Sequence, residues 1–451
     1  PTHTPEPGLL SVVVDQVRYF SQGQQAIAKL REHDGGQRFE VLVTASSNCF
    51  PDALQLSLLE FSEVPCRVVS ARANPARVPT LNRAIREAAG QWCLVTERTQ
   101  LLADGTLADL VGTFQKADAA AVHPVVVGRS LLVENAGHVF GDSSPEPIPF
   151  LNGLPADFAA KVAQYQVPAA GLPLLMGTKT LWDLQGLNSR LRHLWVDIDL
   201  SMRGAQETGR PVVTAGTVAF QQEEHPPFGP MRGQGADIRM FHASWPMPQA
   251  GSAEVEQLLG AYPVIEGFSA LSTPDEPSRW PSATWRRVPT RISVTEANPS
   301  LLWSIRTAAP ADHRMHNWGD YHFAQALAAA LERRGQQATV DFQPNNERPS
   351  GAFEDVVLNL RGLRDFALPA DAISVIWVIS HPDQVTGKEL SKYNLRYAAS
   401  TAWARQTTEQ WGVDVRPLLQ CTDRNRFYLS DDDRIPELTE RAIMVGNSRK
   451  M

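Results

Sequence analysis

Two acidic side chains stand two residues apart in the segment Trp195-Val-Asp-Ile-Asp-Leu-Ser-Met-Arg203. A carboxylate placed beside a hydroxyl can take its proton, so Asp197 and Asp199 are candidates for base chemistry. In an extended stretch the spacing puts both on one face, whereas on a helix they diverge. A structural account competes. Asp197 would cap a helix over residues 198–205, and Asp199 would add favourable charge to its first turn. A second group lies in His316-Asn-Trp-Gly-Asp-Tyr-His322. Gly319 allows close backbone approach there, the following helix start can hold an anion, and His316 and His322 flank it. Asp320 reads as the cap of that helix. His381, before Pro382, ends an apolar run and serves either a site or a hydrogen-bonded turn. The cysteines (Cys49, Cys66, Cys93, Cys421) form no CxxC pair. Neither a zinc knuckle nor a disulfide framework is indicated, and a reducing cytoplasm fits.

The elements that must position these residues follow an α/β rhythm. Short β-rich runs at 10–14, 39–43, 67–70 and 92–95 alternate with helical spacing at 24–31 and 80–89. The second helix is expected to stop at Gly90. Strands alternating with helices predict a mostly parallel sheet. From 225 to 290 the composition changes, with nine prolines from Pro226 to Pro281 beside Trp245, Trp280 and Trp285. One helix-like piece, 253–262, interrupts it. A flexible linker would be Gly/Ser-rich, so this connector is expected to pack through its aromatics. A second α/β pattern occupies 291–451. It has strand-like runs at 301–306, 355–360, 373–380 and 442–445 and an Ala-rich helix over 321–334. A βα unit that stops just after Gly446 looks cut short.

Whole-chain arithmetic limits what these elements can be. The chain has 451 residues, about three domains at roughly 150 residues each. Hydrophobic residues make up 43% and charged residues 20%, which excludes wholesale disorder. The formal net charge is −7, so no global basic field argues for nucleic acid. No apolar run reaches the roughly 20 residues of a membrane helix, which leaves only peripheral membrane contact open. Residues 1–8 lack a signal peptide's apolar region.

Several segments, in order across residues 9–224, resemble the GT-A fold of family 2 glycosyltransferases. They are Asn74-Pro-Ala-Arg-Val-Pro-Thr-Leu-Asn82 leading to Ala88-Ala-Gly90, then Glu134-Asn-Ala-Gly137 and Phe150-Leu-Asn-Gly-Leu-Pro155. Val167-Pro-Ala-Ala-Gly-Leu-Pro-Leu-Leu-Met-Gly177 and Leu184-Gln-Gly-Leu187 follow, and the strongest is the 195–203 segment with Gly209 after it. The resemblance implies transfer of a sugar from a nucleotide-diphosphate donor to a glycan or glycoconjugate acceptor. It implies Asp197 as catalytic base and Asp199 as the second acidic position. It implies inversion by single displacement, in synthesis of a surface polysaccharide or glycoconjugate. Donor-side positions are Ser46, Asn82, Glu97 and Arg98; Gly171 and Trp195 lie on the acceptor side.

The departures from that pattern bear on mechanism. The family's Asp-x-Asp metal motif should follow the run 92–95, but the chain reads Thr96-Glu97-Arg98. The late His ligand is replaced by Phe220-Gln-Gln-Glu-Glu224, with His225 next, and the nucleotide loop reads Thr44-Ala-Ser-Ser47-Asn48. Hard divalent cations need carboxylate oxygens, so Mn²⁺ or Mg²⁺ is disfavoured. Arg98 could meet the diphosphate directly, because guanidinium is a good phosphate fork. A plain solvated arginine, in a protein that binds without turnover, is the alternative.

The region 291–451 resembles the N-terminal, Rossmann-like domain of family 4-like GT-B glycosyltransferases. The resemblance rests on 316–324 and on Asp355-Val-Val-Leu-Asn-Leu-Arg-Gly362, Trp377-Val-Ile-Ser-His-Pro382 and Leu419-Gln-Cys-Thr-Asp423. Val445-Gly-Asn-Ser-Arg449 is similar to the start of the following nucleotide-binding domain, which is absent from this sequence. His316, Gly319, His322 and His381 then become acceptor-side candidates. Trp318 and Trp377 either stack on sugars or fill the core. Two other classes stay open: a carbohydrate- or nucleotide-binding scaffold, and an assembly protein that positions partner enzymes.

Overall fold

The computed structural model describes residues 4–45, 55–69, 77–221, 234–246, 255, 264–268, 283–286 and 300–423, apart from 129, 130, 142, 143, 193, 312, 344, 349, 350, 352, 353, 370 and 422. The expected helix 253–262 apart from residue 255, the strand 442–445, and Ser46 of the nucleotide loop lie outside the described residues.

The first half is built on a ten-stranded sheet whose central path runs β10-β12-β6-β11-β4-β1-β2-β3. Its parallel centre comprises β1 (Glu6–Val17), β2 (Phe39–Ala45), β3 (Cys66–Val69) and β4 (Gly90–Glu97). Beyond β4 come β5 (Gln100–Asp104), β6 (Ala121–Val127), β7 (Val133–Asn135), the pair β8 (His138–Gly141) and β9 (Ser144–Pro149), β10 (Gln166–Val167), β11 (Leu174–Gly177) and β12 (Val212–Gln221). β11 is antiparallel to both β4 and β6, which makes the sheet mixed.

The apolar run of β1 is continuous because both faces are covered. Val12 and Val14 face a core shared with α1 (Phe20–Glu32) and α3 (Leu107–Lys116). Val13 faces the opposite core, shared with α2 (Arg77–Glu87), α5 (Thr178–Asp183) and α6 (Val196–Thr208). Each fully buried Val or Leu contributes about 1.5–3 kcal/mol. Residue 90 is not the helix stop expected from the sequence. It opens β4, and a Cβ there would stand 2.6 Å from the Leu9 carbonyl oxygen. Glycine is needed for strand approach.

A short helix α4 (Phe158–Lys161) lies between β9 and β10. After β12, α7 (Gln234–Ser244) returns to the first half. Its Phe241 is fully buried, and its Asp237 accepts from the Arg192 and Leu194 amides at 3.1 Å each. β13 (Val264–Phe268) and β14 (Ala283–Arg286) form an antiparallel pair.

The last described region is a six-stranded, wholly parallel sheet of β15 (Leu302–Pro310), β16 (Gln337–Gln343), β17 (Val356–Arg361), β18 (Ile373–Val378), β19 (Leu395–Ala398) and β20 (Arg416–Pro417). Its order is β16-β15-β17-β18-β19-β20. α8 (Gly319–Glu332) covers one face through Ala324 and Ala328. α9 (Gly387–Leu390) and α10 (Thr401–Trp411) cover the other with Tyr393 and Val415. This is a doubly wound, Rossmann-like layer arrangement. Charges are buried beneath it: Arg348 is fully enclosed, its Nε donates to Asp341 Oδ1 at 2.7 Å, and Nη2 donates to Glu354.

Candidate functional site

In an open α/β sheet the ligand crevice forms where strand order reverses, at the carboxyl ends of the strands. In the first half that point lies between β1 and β4, because β2 and β3 lie on one side of β1 and β4 on the other. Asp15 and Glu97 are register partners at these ends. Two carboxylates so placed repel unless a cation intervenes, and Arg77, at the start of α2, supplies it. Its Nε donates to Asp15 Oδ2 at 2.6 Å and its Nη2 donates to Glu97 Oε1. Burial opposes the Arg77 charge, but the two carboxylates outweigh it and raise its pKa, with Asp197 adding in the same direction.

Neighbouring groups complete the cluster. The Thr44 hydroxyl donates to Asp15, and Gln16 Nε2 donates to Glu97 at 3.1 Å. Gln16 has a left-handed backbone (φ 61°), a strained state for a side-chain-bearing residue. Arg98 is half-buried. Its amide donates to Asp15 O at 3.0 Å and its Nε to Gln16 O at 2.9 Å.

Asp197 lies in the first turn of α6, where amides and the helix dipole favour an anion. Its Oδ2 accepts from the Leu172 amide at 2.9 Å and its Oδ1 from the Ile198 amide at 3.1 Å. The helix cap is Trp195, not Asp197. Trp195 has φ 57° and is fixed by ring contacts to Phe241 at 5.1 Å and His242 at 6.1 Å. Gly171 packs directly on the carboxylate, since a Cβ there would lie 2.9 Å from Asp197 Oδ2 and 3.5 Å from His138 Cε1. Burial first, then His123, lowers the His138 pKa to about 4 against the pull of Asp197. Burial also lowers that of His123, whose Nδ1 lies 2.9 Å from Pro173 O.

Asp199 points elsewhere, as a helix requires. It is 1% exposed, accepting from Arg203 Nε at 2.7 Å and Trp245 Nε1 at 3.0 Å. Asn82 is also engaged structurally. Its Nδ2 donates to Leu187 O at 2.8 Å and its Oδ1 accepts from the Leu187 amide at 2.7 Å. The structure thus puts Glu97 and Arg98 at the crevice and Asp197, with Gly171 against its carboxylate, near enough to act on the Arg77 charge; Trp195 packs on Phe241 and His242, and Asp199 and Asn82 are engaged in structural contacts. Asp15 and Arg77 went unnoticed in the sequence. Asp15 directly follows the first apolar run, the usual place for a ligand residue in an α/β sheet, and Arg77 lies within the segment 74–82.

The second sheet has its own reversal, between β15 and β17. His316 and His322 bracket Tyr321, with ring centroids at 4.8 and 5.0 Å, and His322 Nε2 lies 3.0 Å from His316 O. A Cβ at Gly319 would meet nothing within 4 Å, so the backbone there is open to approach. Asp320 is not the helix cap, because Trp318 takes that place. It faces Gly362, whose Cβ would be 3.0 Å from Asp320 Oδ2 and 3.2 Å from Ser380 Oγ. Burial raises the Asp320 pKa, with His381 opposing. His381 has φ 48° and its Nδ1 lies 2.9 Å from Ser380 Oγ. Trp377 is 5% exposed and packs on Phe323, so it belongs to the core.

Among the described residues, Arg77 stands between the two carboxylates of the first crevice, and the expected ligand positions hold Thr96 and Arg98. Thr96 Oγ1 donates to the Gln100 carbonyl at 2.6 Å. Among the described residues, no group of three or more His, Cys, Asp or Glu could hold a metal. No described helix is long and apolar enough to cross a membrane.

No protein-family model matches the sequence, and no curated protein matches it. Among solved structures, it is similar to TarS 1-349 of S. aureus in complex with UDP-GlcNAc, at 16% identity and TM-score 0.36 over 56% of this chain and 70% of that one. A second is the mannosyltransferase PcManGT of Pyrobaculum calidifontis in complex with GDP-Man and Mn²⁺, at 16% identity and TM-score 0.38 over 55% of this chain and 66% of that one. A third is GalNAc-T7 with UDP, GalNAc and Mn²⁺, at 13% identity and TM-score 0.40 over 53% of this chain and 48% of that one.

Proposed function

We propose that the first half transfers a sugar from a nucleotide-diphosphate donor to a hydroxyl of a glycan or glycolipid, with inversion and without a metal. The observation that carries this is the convergence of a carboxylate, Asp197, with the Asp15–Arg77–Glu97 cluster at one switch point. The proposed step is a single displacement. Asp197 takes the acceptor hydroxyl proton as that oxygen bonds to the anomeric carbon. The bond from that carbon to the diphosphate breaks, and the leaving group keeps the electron pair. Arg98, and Arg77 as it exchanges a carboxylate for the incoming phosphate, meet the charge that grows on the diphosphate. Asp199 acts as a positioning residue, holding α6 through Arg203 and Trp245. In the second half, His316, Gly319, His322 and His381 line a GT-B-like acceptor face. The setting is cytoplasmic synthesis of a surface glycan.

The test is donor turnover by the purified chain with UDP-, GDP- and dTDP-sugars. Turnover insensitive to EDTA, with product of inverted anomeric configuration by NMR, is expected. An Asp197→Asn change should lower the rate by about 10²–10⁴-fold. Strict dependence on Mn²⁺ or Mg²⁺ overturns the metal-free step. One observation favours a second reading, a binding module without turnover: Arg77 already satisfies both crevice carboxylates. Nucleotide binding by calorimetry with no donor consumption would select it.

A further inference from the structure

A second polar cleft, of about 560 Å³, opens beside the crevice between α2 and the turn 184–190. Its size falls within the range of small-ligand sites. Three of its lining side chains are arginines, Arg86, Arg190 and Arg203, joined by Gln185, Asn188 and Ser189. No described lining residue is Asp or Glu, although the whole chain carries a net charge of −7. The nearest carboxylates along the chain are already matched: Glu87 accepts from Arg83 at 2.8 Å and Asp183 from Lys179 at 2.6 Å. Arg86 and Arg190 are exposed, and among the described residues neither guanidinium has an acidic partner. Arg203 is paired with Asp199 at 2.7 Å, so the uncompensated positive charge of the cleft is that of Arg86 and Arg190.

Its wall is held in place. Arg203 donates to the Leu184 carbonyl at 3.2 Å and the Gly186 carbonyl at 2.8 Å, while Asn82 fixes Leu187 from both sides. Gln185 is kept at φ 61°, a strained state that persists only where surroundings impose it. Arg86 lies nine residues beyond Arg77 on α2, about 13 Å along the helix. The cleft is thus separate from the Asp15–Arg77–Glu97 cluster yet continuous with the helix that carries it.

We infer that this cleft is a binding site for a phosphate group, with Arg86 and Arg190 as its anion contacts and Arg203 as the support of its wall. Planar guanidinium forks beside amide and hydroxyl donors suit phosphate oxygens. The phosphate could belong to an acceptor chain running along α2 or to a free phosphate ligand. The inference deepens the transferase proposal in the first case but does not need turnover to be tested.

The probe is inorganic phosphate, titrated at low salt by calorimetry into the full chain and into an Arg86→Ala/Arg190→Ala double variant. Both changes are at exposed positions, and an unchanged melting temperature verifies the fold. Binding weakened about tenfold or more in the variant is expected, with recovery by Arg86→Lys/Arg190→Lys and weakening of the parent as salt rises. UDP affinity should be the same in parent and variant, and phosphate should still bind in the presence of UDP. A simple phosphodiester that binds more tightly than inorganic phosphate identifies an acceptor chain, and the reverse order identifies a free phosphate ligand. Equal phosphate affinity in parent and variant, phosphate displaced by UDP, or no phosphate binding to the parent overturns the inference. If UDP, GDP and dTDP all fail to bind while phosphate binding behaves as expected, the transferase proposal falls and the cleft stands.

Discussion

Gly171 lacks a side chain where the Asp197 carboxylate needs room. A Cβ would stand 2.9 Å from Oδ2, closer than real contacts allow, so the acid must move if alanine is introduced. Its backbone is outside the left-handed region, so Gly171→Ala strains no dihedral angle. The change therefore separates placement from folding. Turnover should fall by about 10²-fold, as for an ångström of misplacement, while the melting temperature stays close to the parent's. Steady-state rates beside a thermal melt would check this. At this scale the sequence was half legible. Asp197 stood out because its segment matched a known pattern, but the same pattern recommended Asn82, whose amide is spent on Leu187. A motif marks a position; it does not say whether the side chain faces a ligand or its own fold. Arg77 illustrates the reverse, since nothing in sequence spacing shows that two carboxylates, 82 positions apart, are register partners beside it.

At the scale of elements, α6 shows why the Asp-x-Asp spacing allowed two outcomes. Two residues along a strand share a face, whereas two along a helix are turned about 200° from each other. The helix won, and Asp199 went into the interior, where Arg203 lies one turn away and Trp245 reaches over from beyond α7. Breaking this pair by Arg203→Ala leaves a carboxylate that is 1% exposed without its cation. The cost should approach about 3–5 kcal/mol, and urea melts would read it. Asp199→Asn keeps the shape and the indole contact, so it should cost less. The strands were more legible than the connections, because runs such as 374–378, buried on both faces, leave few alternatives. Gly90 was misread for a physical reason. Gly after a helical pattern usually ends the helix, but here the backbone of β1 demands it, a contact 81 residues distant in sequence.

At the scale of the molecule, each half places its candidate groups at one end of a sheet, and the buried side chains behind those ends link the site to stability. His138 and His123 lie behind Asp197, and burial lowers the pKa of both, that of His138 to about 4 from an ordinary value of 6.5. The sign follows directly. As pH falls below about 6.5, the unfolded chain takes up protons at these imidazoles while the folded chain does not, so protonation favours unfolding. This contribution is therefore intact above pH 6.5 and is lost progressively as pH falls toward 4, where the folded His138 also titrates. Asp197 faces both rings and partly offsets the effect. Asp157 and Glu354, whose pKa values desolvation raises to about 6 and about 7, act in the opposite sense in the same window, so the readout is the difference between proteins: urea midpoints should fall less toward acid in His138→Gln, which cannot titrate, than in the parent. A variant with the parent's slope would show that the imidazole behind Asp197 is not held neutral, and the electrostatic link between the crevice and its core would be lost.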